Sequence, residues 1–270
     1  MTLKDLSLAA LTEAAEGVIR PVGAFLLEQK VAQDQVETKS LNSLVSHVDK
    51  EAEARLVKGL SAVLPEAGFL AEEGTGSGDG HVRFRWVVDP LDGTTNLIHG
   101  LPVFCVSVAL VDGDDPVIGV VYDPTRDECF TAFKGGGTRL NGQPVQCSGR
   151  VQLSDALVAT GVPHWDFTRM EDYLAALTAF AKGTRGLRRM GSAAIDLAYV
   201  ACGRFDIFFE YSLQPWDIAA GLLLVQESGG ITCDFGGESE PQALLSGRET
   251  FAAAPGILDE GLSVIRNAFG

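Results

Sequence analysis

Positive charge, paired cysteines and long apolar runs are all scarce in this 270-residue chain. Gly, Asp or Glu breaks every apolar run well short of the ~18 residues that a membrane span requires. The five cysteines, Cys105, Cys129, Cys147, Cys202 and Cys233, are scattered, odd in number and never spaced CxxC. That favours reduced thiols in a cytoplasm over a disulfide framework or a zinc knuckle. His47, His81, His99 and His164 show no metal-ligand spacing and read as surface or capping residues. No Gly-x-Ser-x-Gly elbow is present for a serine hydrolase. The Gly-rich stretch "EEGTGSGDGHVR" fits neither GxGxxG nor a P-loop and reads as a flexible connector. There is no internal repeat and no low-complexity tail. Only 21 basic residues stand against 36 acidic ones, a formal net charge of −15. Such a surface repels nucleic acid and anionic membrane at long range. It also repels a phosphorylated substrate, so phosphate chemistry here needs local cations.

What is present is globular material, 46% hydrophobic and 8% aromatic, enough for a large α/β core. The first thirty residues carry acids throughout and place Leu6, Ala10, Leu11, Ala14 and Val18 at helical spacing. They predict an amphipathic helix rather than a signal peptide. A second helix is expected over "VSHVDKEAEARLVKGLSAVL", with Val48, Ala52, Leu56 and Leu60 on one face. A strand follows at "RFRWVVD". An antiparallel meander then runs through "FCVSVALVDG", "DPVIGVVYDP" and "ECFTAFKGGGTRLNG", punctuated by Asp-Gly, Asp-Pro and Gly-Gly turns. Beyond about residue 150, strands and helices alternate. The aromatic cluster "FFEYSLQPW" reads as packing rather than a base-stacking platform.

The stretch "VVDPLDGTTNLIHG" places Asp89 at the end of an apolar strand and Asp92 three residues on. Taken alone, Asp-Pro and Asp-Gly are turn dipeptides and Thr is a helix cap. The carboxylates of Asp89 and Asp92 and the carbonyl of Leu91 can nevertheless converge, and oxygen ligands of this kind suit a hard cation such as Mg2+. A helix starting at Gly93-Thr94-Thr95 would add an anion site beside them. Two further acidic positions have ordinary readings of their own. Asp217 reads singly as a helix N-terminal acid, and Glu72-Glu73 as a solvated loop edge.

Together these stretches carry a resemblance. "DPLDGTTNLIHG" resembles the first signature of the inositol monophosphatase family, and "PWDIAAGLLLVQESGG" resembles the second, with Ser228 where Ala is usual. "AEEG" at 71–74 looks like the family's Glu-Glu segment, and "RRMGSAAIDLAYVACGRFDIFFE" is similar to the stretch preceding the second signature in bacterial members. The resemblance spans nearly the whole chain. It implies an α/β chain of the α+β type, a layered αβαβα sandwich forming a single domain over 1–270. An N-terminal subregion covers about 1–150 and a C-terminal one about 151–270. It also implies a cytoplasmic, Mg2+-dependent, Li+-sensitive phosphomonoesterase, usually a homodimer, with two or three Mg2+ per site and Mn2+ as a substitute.

Carried over residue by residue, the resemblance gives Glu72, Asp89 and the Leu91 carbonyl to a first metal. Asp89, Asp92 and Asp217 go to a second, and a third, weaker ion lies near Glu72. Gly93, Thr94 and Thr95 face the phosphate. Asp49 hydrogen-bonds the Thr94 hydroxyl, and Lys39 matches a mobile-loop lysine. Glu210, with Ser192 and Ala193, lines a polyol pocket. Arg188 and Arg189 serve either a dimer interface or the phosphate approach. Water activated by the metal attacks phosphorus directly, losing its proton through Thr94 and Asp49 or through Glu72, with Glu72, Thr94 and Asp49 as the catalytic groups. The expected substrate is a small phosphorylated polyol, inositol 1-phosphate by default. Fructose 1,6-bisphosphate, 3′-phosphoadenosine 5′-phosphate, and a regulatory role through a protein partner are the alternatives. Neither a membrane nor direct nucleic-acid binding is expected.

Overall fold

The computed structural model describes residues 2, 6–29, 36–40, 43–75, 82–163 and 166–270, with side chains described outside 36–46. His81 and His164 lie outside the described residues, as do 76–81 of the Gly-rich connector. His47 and His99 are exposed, in keeping with their reading as surface positions. All five cysteines are free. Among the described residues no helix is long and apolar enough to cross a membrane.

Two helices, α1 (Leu8–Leu27) and α2 (His47–Val63), cover one face of a seven-stranded sheet. Its strands are β3 (Gly68–Ala71), β4 (Phe84–Asp92), β5 (Cys105–Asp112), β6 (Asp115–Asp123), β7 (Glu128–Phe133), β8 (Gly137–Leu140) and β9 (Gln143–Val145). They lie in sequence order, and every neighbouring pair is antiparallel except β3–β4. A small antiparallel pair, β1 (Val36–Ser40) with β2 (Ser43–Ser46), precedes α2. Short helix α3 (Thr94–Ile98) sits directly after β4.

The second sheet has five strands in the order β11 (Gly186–Arg188), β10 (Leu157–Thr160), β12 (Ile207–Tyr211), β14 (Glu249–Ala253), β13 (Ile231–Cys233). Between the two sheets lie α5 (Ala193–Ala201) and α6 (Pro215–Glu227). On the far face lie α4 (Met170–Gly183) and α8 (Leu258–Phe269); a one-turn helix, α7 (Pro241–Leu245), precedes β14. Strand alternation builds these layers. In β12, Phe208 turns toward α5 and α6, while Ile207 and Phe209 turn toward α4 and α8. The result is the expected αβαβα sandwich. The C-terminal sheet is mixed rather than fully parallel, because β14 enters antiparallel beside β12.

The N-terminal helix buries a different stripe from the expected one. Thr12, Ala15, Ile19, Val22 and Leu26 face the sheet, while Ala10 and Ala14 are exposed and Leu11 and Val18 only half-buried. Large side chains at 19, 22 and 26 gain more from burial than alanines at 10 and 14, so the helix rotates accordingly. In α2, by contrast, Val48, Ala52, Leu56 and Leu60 are all buried as expected.

The sheet and the middle helix layer meet closely. A Cβ at Gly119 on β6 would lie 2.7 Å from the Ala220 carbonyl oxygen of α6. Backbone on both sides leaves no flexible group to yield. Gly119→Ala is therefore expected to cost about 1–3 kcal/mol, seen as a lower urea midpoint at unchanged m-value; an unchanged midpoint would show that α6 can move away freely.

Candidate active site

The site forms where β4 ends. In a regular strand, residues three apart face opposite sides, yet Asp89 pairs with Ser107 and Asp92 with Cys105, only two residues away on β5. One extra residue is therefore accommodated between them, a β-bulge, at Pro90-Leu91, where proline has no N–H to offer the ladder. The bulge turns Asp89 and Asp92 to the same side, toward α5 and α6. Leu91 drops into the α1–α2 core. The strand thus continues through Asp92 instead of leaving by a turn after Asp89.

The three aspartates are each held by neutral dipoles. Asp89 is buried, and its Oδ1 accepts the Leu91 N–H at 2.9 Å. Asp92 Oδ2 accepts the Ser192 hydroxyl and the Ala194 N–H, both at 2.7 Å, at the start of α5. Ser192 also caps α5 by accepting the Ile195 N–H at 3.3 Å. Asp217 opens α6, and its Oδ2 accepts the Gln214 N–H at 2.8 Å as half of a capping box. The helix-terminal reading of Asp217 is thus correct for one oxygen, but the residue also belongs to the cluster. Glu72 follows β3, half-buried, with its N–H bonded to the Val88 carbonyl at 3.2 Å.

The electrostatics tie these four together. Burial pushes Asp89 well above the ordinary carboxylate range, and the charges of Glu72, Asp92 and Asp217 push it further. Asp217 is raised by burial and then by Asp92, Glu72 and Glu210. Burial lifts Asp92 to about 6 against the pull of Ser192, Ala194 and Arg189. Among the described residues, no three acidic, His or Cys side chains already stand at metal-ligating distance of one point. The four carboxylates are close enough to repel one another, three of them while engaged with backbone or hydroxyl donors. An all-oxygen donor set whose charges repel one another fits a hard divalent ion.

Beside the acids lies the start of α3. Gly93 sits at φ +102°, and a Cβ there would lie 2.9 Å from the Val103 carbonyl oxygen. Glycine alone satisfies both conditions. The Gly93 carbonyl accepts the Leu97 N–H, which leaves the first N–H groups of α3 without intrahelical partners. Half-buried Thr94 donates its hydroxyl to Asp49 Oδ1 at 2.9 Å, with the Leu91 carbonyl at 3.0 Å. Thr95 is exposed. Asn96, also within the motif, is buried and donates to the carbonyls of Val103 and Met190, tying α3 to the chain entering α5. Lys39 lies in β1 where the pairing register shifts, and its side chain is outside the described residues.

Glu210 is buried on β12 with its carboxylate against Gly161. Ser192 and buried Ala193 stand at the same end of α5. Arg189, exposed, is the cation that acts on Asp92, Asp196 and Glu210 together, whereas Arg188 donates to its neighbour's carbonyl. Two residues escaped the sequence reading. Asp196 on α5 is buried with Oδ1 unpartnered, and burial and Glu210 raise it. Glu53 on α2 is also fully buried. Its signal was available: it lies one turn after Asp49, flanked by the core positions Ala52 and Leu56. Two grooves of about 390 and 320 Å³ run past Gln146, Ser228 and Gly229, and none of the site residues lines either. The chemistry of the acids, rather than cavity size, marks the site.

The inositol monophosphatase family profile matches residues 7–268. The chain is 41% identical over 255 residues to the inositol-1-monophosphatase of Rhizobium meliloti, covering 93% of this chain and 94% of that protein. It is 40% identical over 248 residues to the putative Nus factor SuhB of Neisseria meningitidis serogroup B, covering 91% and 94%. The solved inositol monophosphatase of Anabaena superposes with a TM-score of 0.86 at 32% identity, covering 97% of each chain. With nearly full-length agreement in sequence and in fold, the chain belongs to the inositol monophosphatase family and is a phosphomonoesterase.

Proposed function

We propose that this site hydrolyses the phosphate monoester of a small polyol, inositol 1-phosphate being the first candidate. The observation that carries the reading is the gathering of Glu72, Asp89, Asp92 and Asp217 beside the N–H end of α3. Glu72, Asp89 and the Leu91 carbonyl would hold one Mg2+, and Asp89, Asp92 and Asp217 another, with a weaker third near Glu72. When bound, the ions neutralise the acids, polarise the phosphate and favour ionised water.

The chain's own groups do the rest. The Thr94 hydroxyl proton is shared between Asp49 and the Leu91 carbonyl, so the Thr94 oxygen is left as an acceptor for a water proton. Asp49, buried at the far end of the Thr94 bond, accepts the hydroxyl proton that Thr94 gives up as it takes one from water. The N–H groups of Gly93, Thr94 and Thr95 orient phosphate oxygens. Ser192, Ala193 and Glu210 receive the polyol, Glu210 accepting hydrogen bonds from adjacent ring hydroxyls. The whole chain, 1–270, works as one unit in this reading, since the acids come from both halves. Five free thiols support a cytoplasmic setting, and exposed Leu101, Phe167 and Leu174 offer apolar surface for a second copy in a homodimer.

A second reading, regulation through a protein partner, is favoured by the relative at 40% identity that bears the name putative Nus factor. A charge of −15 directs such a role to a basic protein surface rather than to nucleic acid itself. Capture of the same partner by wild type and by an inactive Asp89→Asn variant would separate that role from catalysis.

Asp89→Asn and Asp217→Asn are each expected to lose activity by several orders of magnitude with an unchanged circular dichroism spectrum. Near-normal turnover in either, across a Mg2+ titration, discards the metal scheme. In a phosphate-release panel, inositol 1-phosphate should exceed fructose 1,6-bisphosphate and 3′-phosphoadenosine 5′-phosphate, with activity lost without Mg2+ and reduced by Li+; a preference for either bisphosphate reassigns the substrate.

Glu210 gives a test that needs no substrate. Burial lifts its carboxyl to about 8, opposed by Arg189 and the Gly161 backbone and reinforced by Asp92. A carboxyl raised on folding holds its proton more tightly in the folded state. Its contribution to stability is therefore full below the ordinary value of 4.5 and is lost as pH rises through about 8. Urea titrations of metal-free protein across that window should show stability falling with pH, and Glu210→Gln should make the slope shallower. An identical slope in the variant contradicts the assignment.

A further inference from the structure

Helix α2 carries two buried carboxylates one turn apart, and they reach different loops. Asp49 meets Thr94 at the start of α3. Glu53, four residues on and fully buried, reaches the loop after β3. Its Oε2 accepts the Glu73 N–H at 2.7 Å and its Oε1 the Thr75 N–H at 2.7 Å. Both oxygens of one side chain are thus spent on the backbone that carries Glu72. The N–H of Glu72 itself is fixed to Val88 on β4. Glu72 is therefore held from both sides, by the strand through its own amide and by α2 through the next one.

The chemistry of position 53 is telling. A further carboxylate brings no positive charge to a site already rich in acids, so charge alone does not account for it. What a carboxylate uniquely offers is two acceptors on one rigid plane, matched to two N–H donors. Glutamine has a single acceptor oxygen and would turn an NH2 toward one of those donors. Aspartate is shorter by one methylene and does not span the gap.

We propose that Glu53 is a positioning residue: by clamping the Glu73 and Thr75 amides it sets the placement of the Glu72 carboxylate, and hence the affinity of the site for its divalent ion. The proposal rests on Glu72 being a metal ligand. With Asp49 it makes α2 a common rail that aligns the Glu72 loop with the Thr94 turn.

The test uses Glu53→Gln and Glu53→Asp in the full chain, with Mg2+ as the probe. Calorimetry should show Mg2+ binding weakened about 10- to 100-fold in both variants, the range typical of lost supporting hydrogen bonds around a metal. The Mg2+ concentration for half-maximal activity should rise in parallel, and kcat at saturating Mg2+ should fall by much less. Hydrogen exchange at the Glu73 and Thr75 amides should speed up while the β4 amides keep wild-type protection. Wild-type Mg2+ affinity in either folded variant overturns the proposal, as does faster exchange spread evenly over β4 and the core, which marks a merely structural role. Wild-type protein that binds no Mg2+ instead overturns the metal reading of Glu72 itself. Should one variant fail to fold, the other carries the same readouts.

Discussion

Like-charge repulsion governs the centre of this molecule. Two unit charges ~4 Å apart cost about 4 kcal/mol at an effective dielectric of 20, and here four carboxylates share one neighbourhood. The fold gives three of them a dipole: a bulge amide for Asp89, a serine hydroxyl and a helix amide for Asp92, a capping amide for Asp217. None of those donors is a full positive charge. The protein therefore keeps these three acids in place by dipoles, and a cation arriving there would draw together carboxylates that already share one neighbourhood. Arg189 leans on Asp92 and Glu210 from the rim.

The layers explain why the acids meet at all. Helices α5 and α6 lie between two sheets, and both begin at the end of the molecule where β4 stops and the bulge lies. Helix starts bring free N–H groups and positive dipole ends, which is what both acidic side chains and a phosphate require. The same geometry that places Asp92 and Asp217 near helix N-termini thus brings them to one end of the molecule, beside Asp89.

Much of this was legible in the chain itself. The long signatures around Asp89 and Asp217 located the cluster, and period-two and helical spacing found most strands and helices, including the buried face of α2. Four things were hidden for identifiable reasons. The bulge in β4 depends on pairing with β5, which no local pattern reveals. The stripe buried by α1 was misjudged because alanines were weighed equally with Ile19, Val22 and Leu26. The antiparallel entry of β14 is a matter of topology rather than composition. Glu53 and Asp196 were passed over because a carboxylate on a helix is ordinarily solvated; the neighbouring core positions Ala52 and Leu56 pointed to Glu53, whereas tertiary packing is what shows Asp196 to be inside.

The extra residue in β4 has a further consequence for how such a chain can vary over time. Side chains along the strand can be exchanged one by one, but at this length the bulge cannot be ironed out. Pairing every residue from Asp89 to Asp92 regularly with β5 would swing Asp92 around into the oily layer between the sheet and α1–α2, whereas deleting Pro90 or Leu91 would leave it two residues from Asp89, on the same face without a bulge. The stretch is therefore open to substitution wherever the bulge is kept, a half-step inside the sheet that decides which way one acid points.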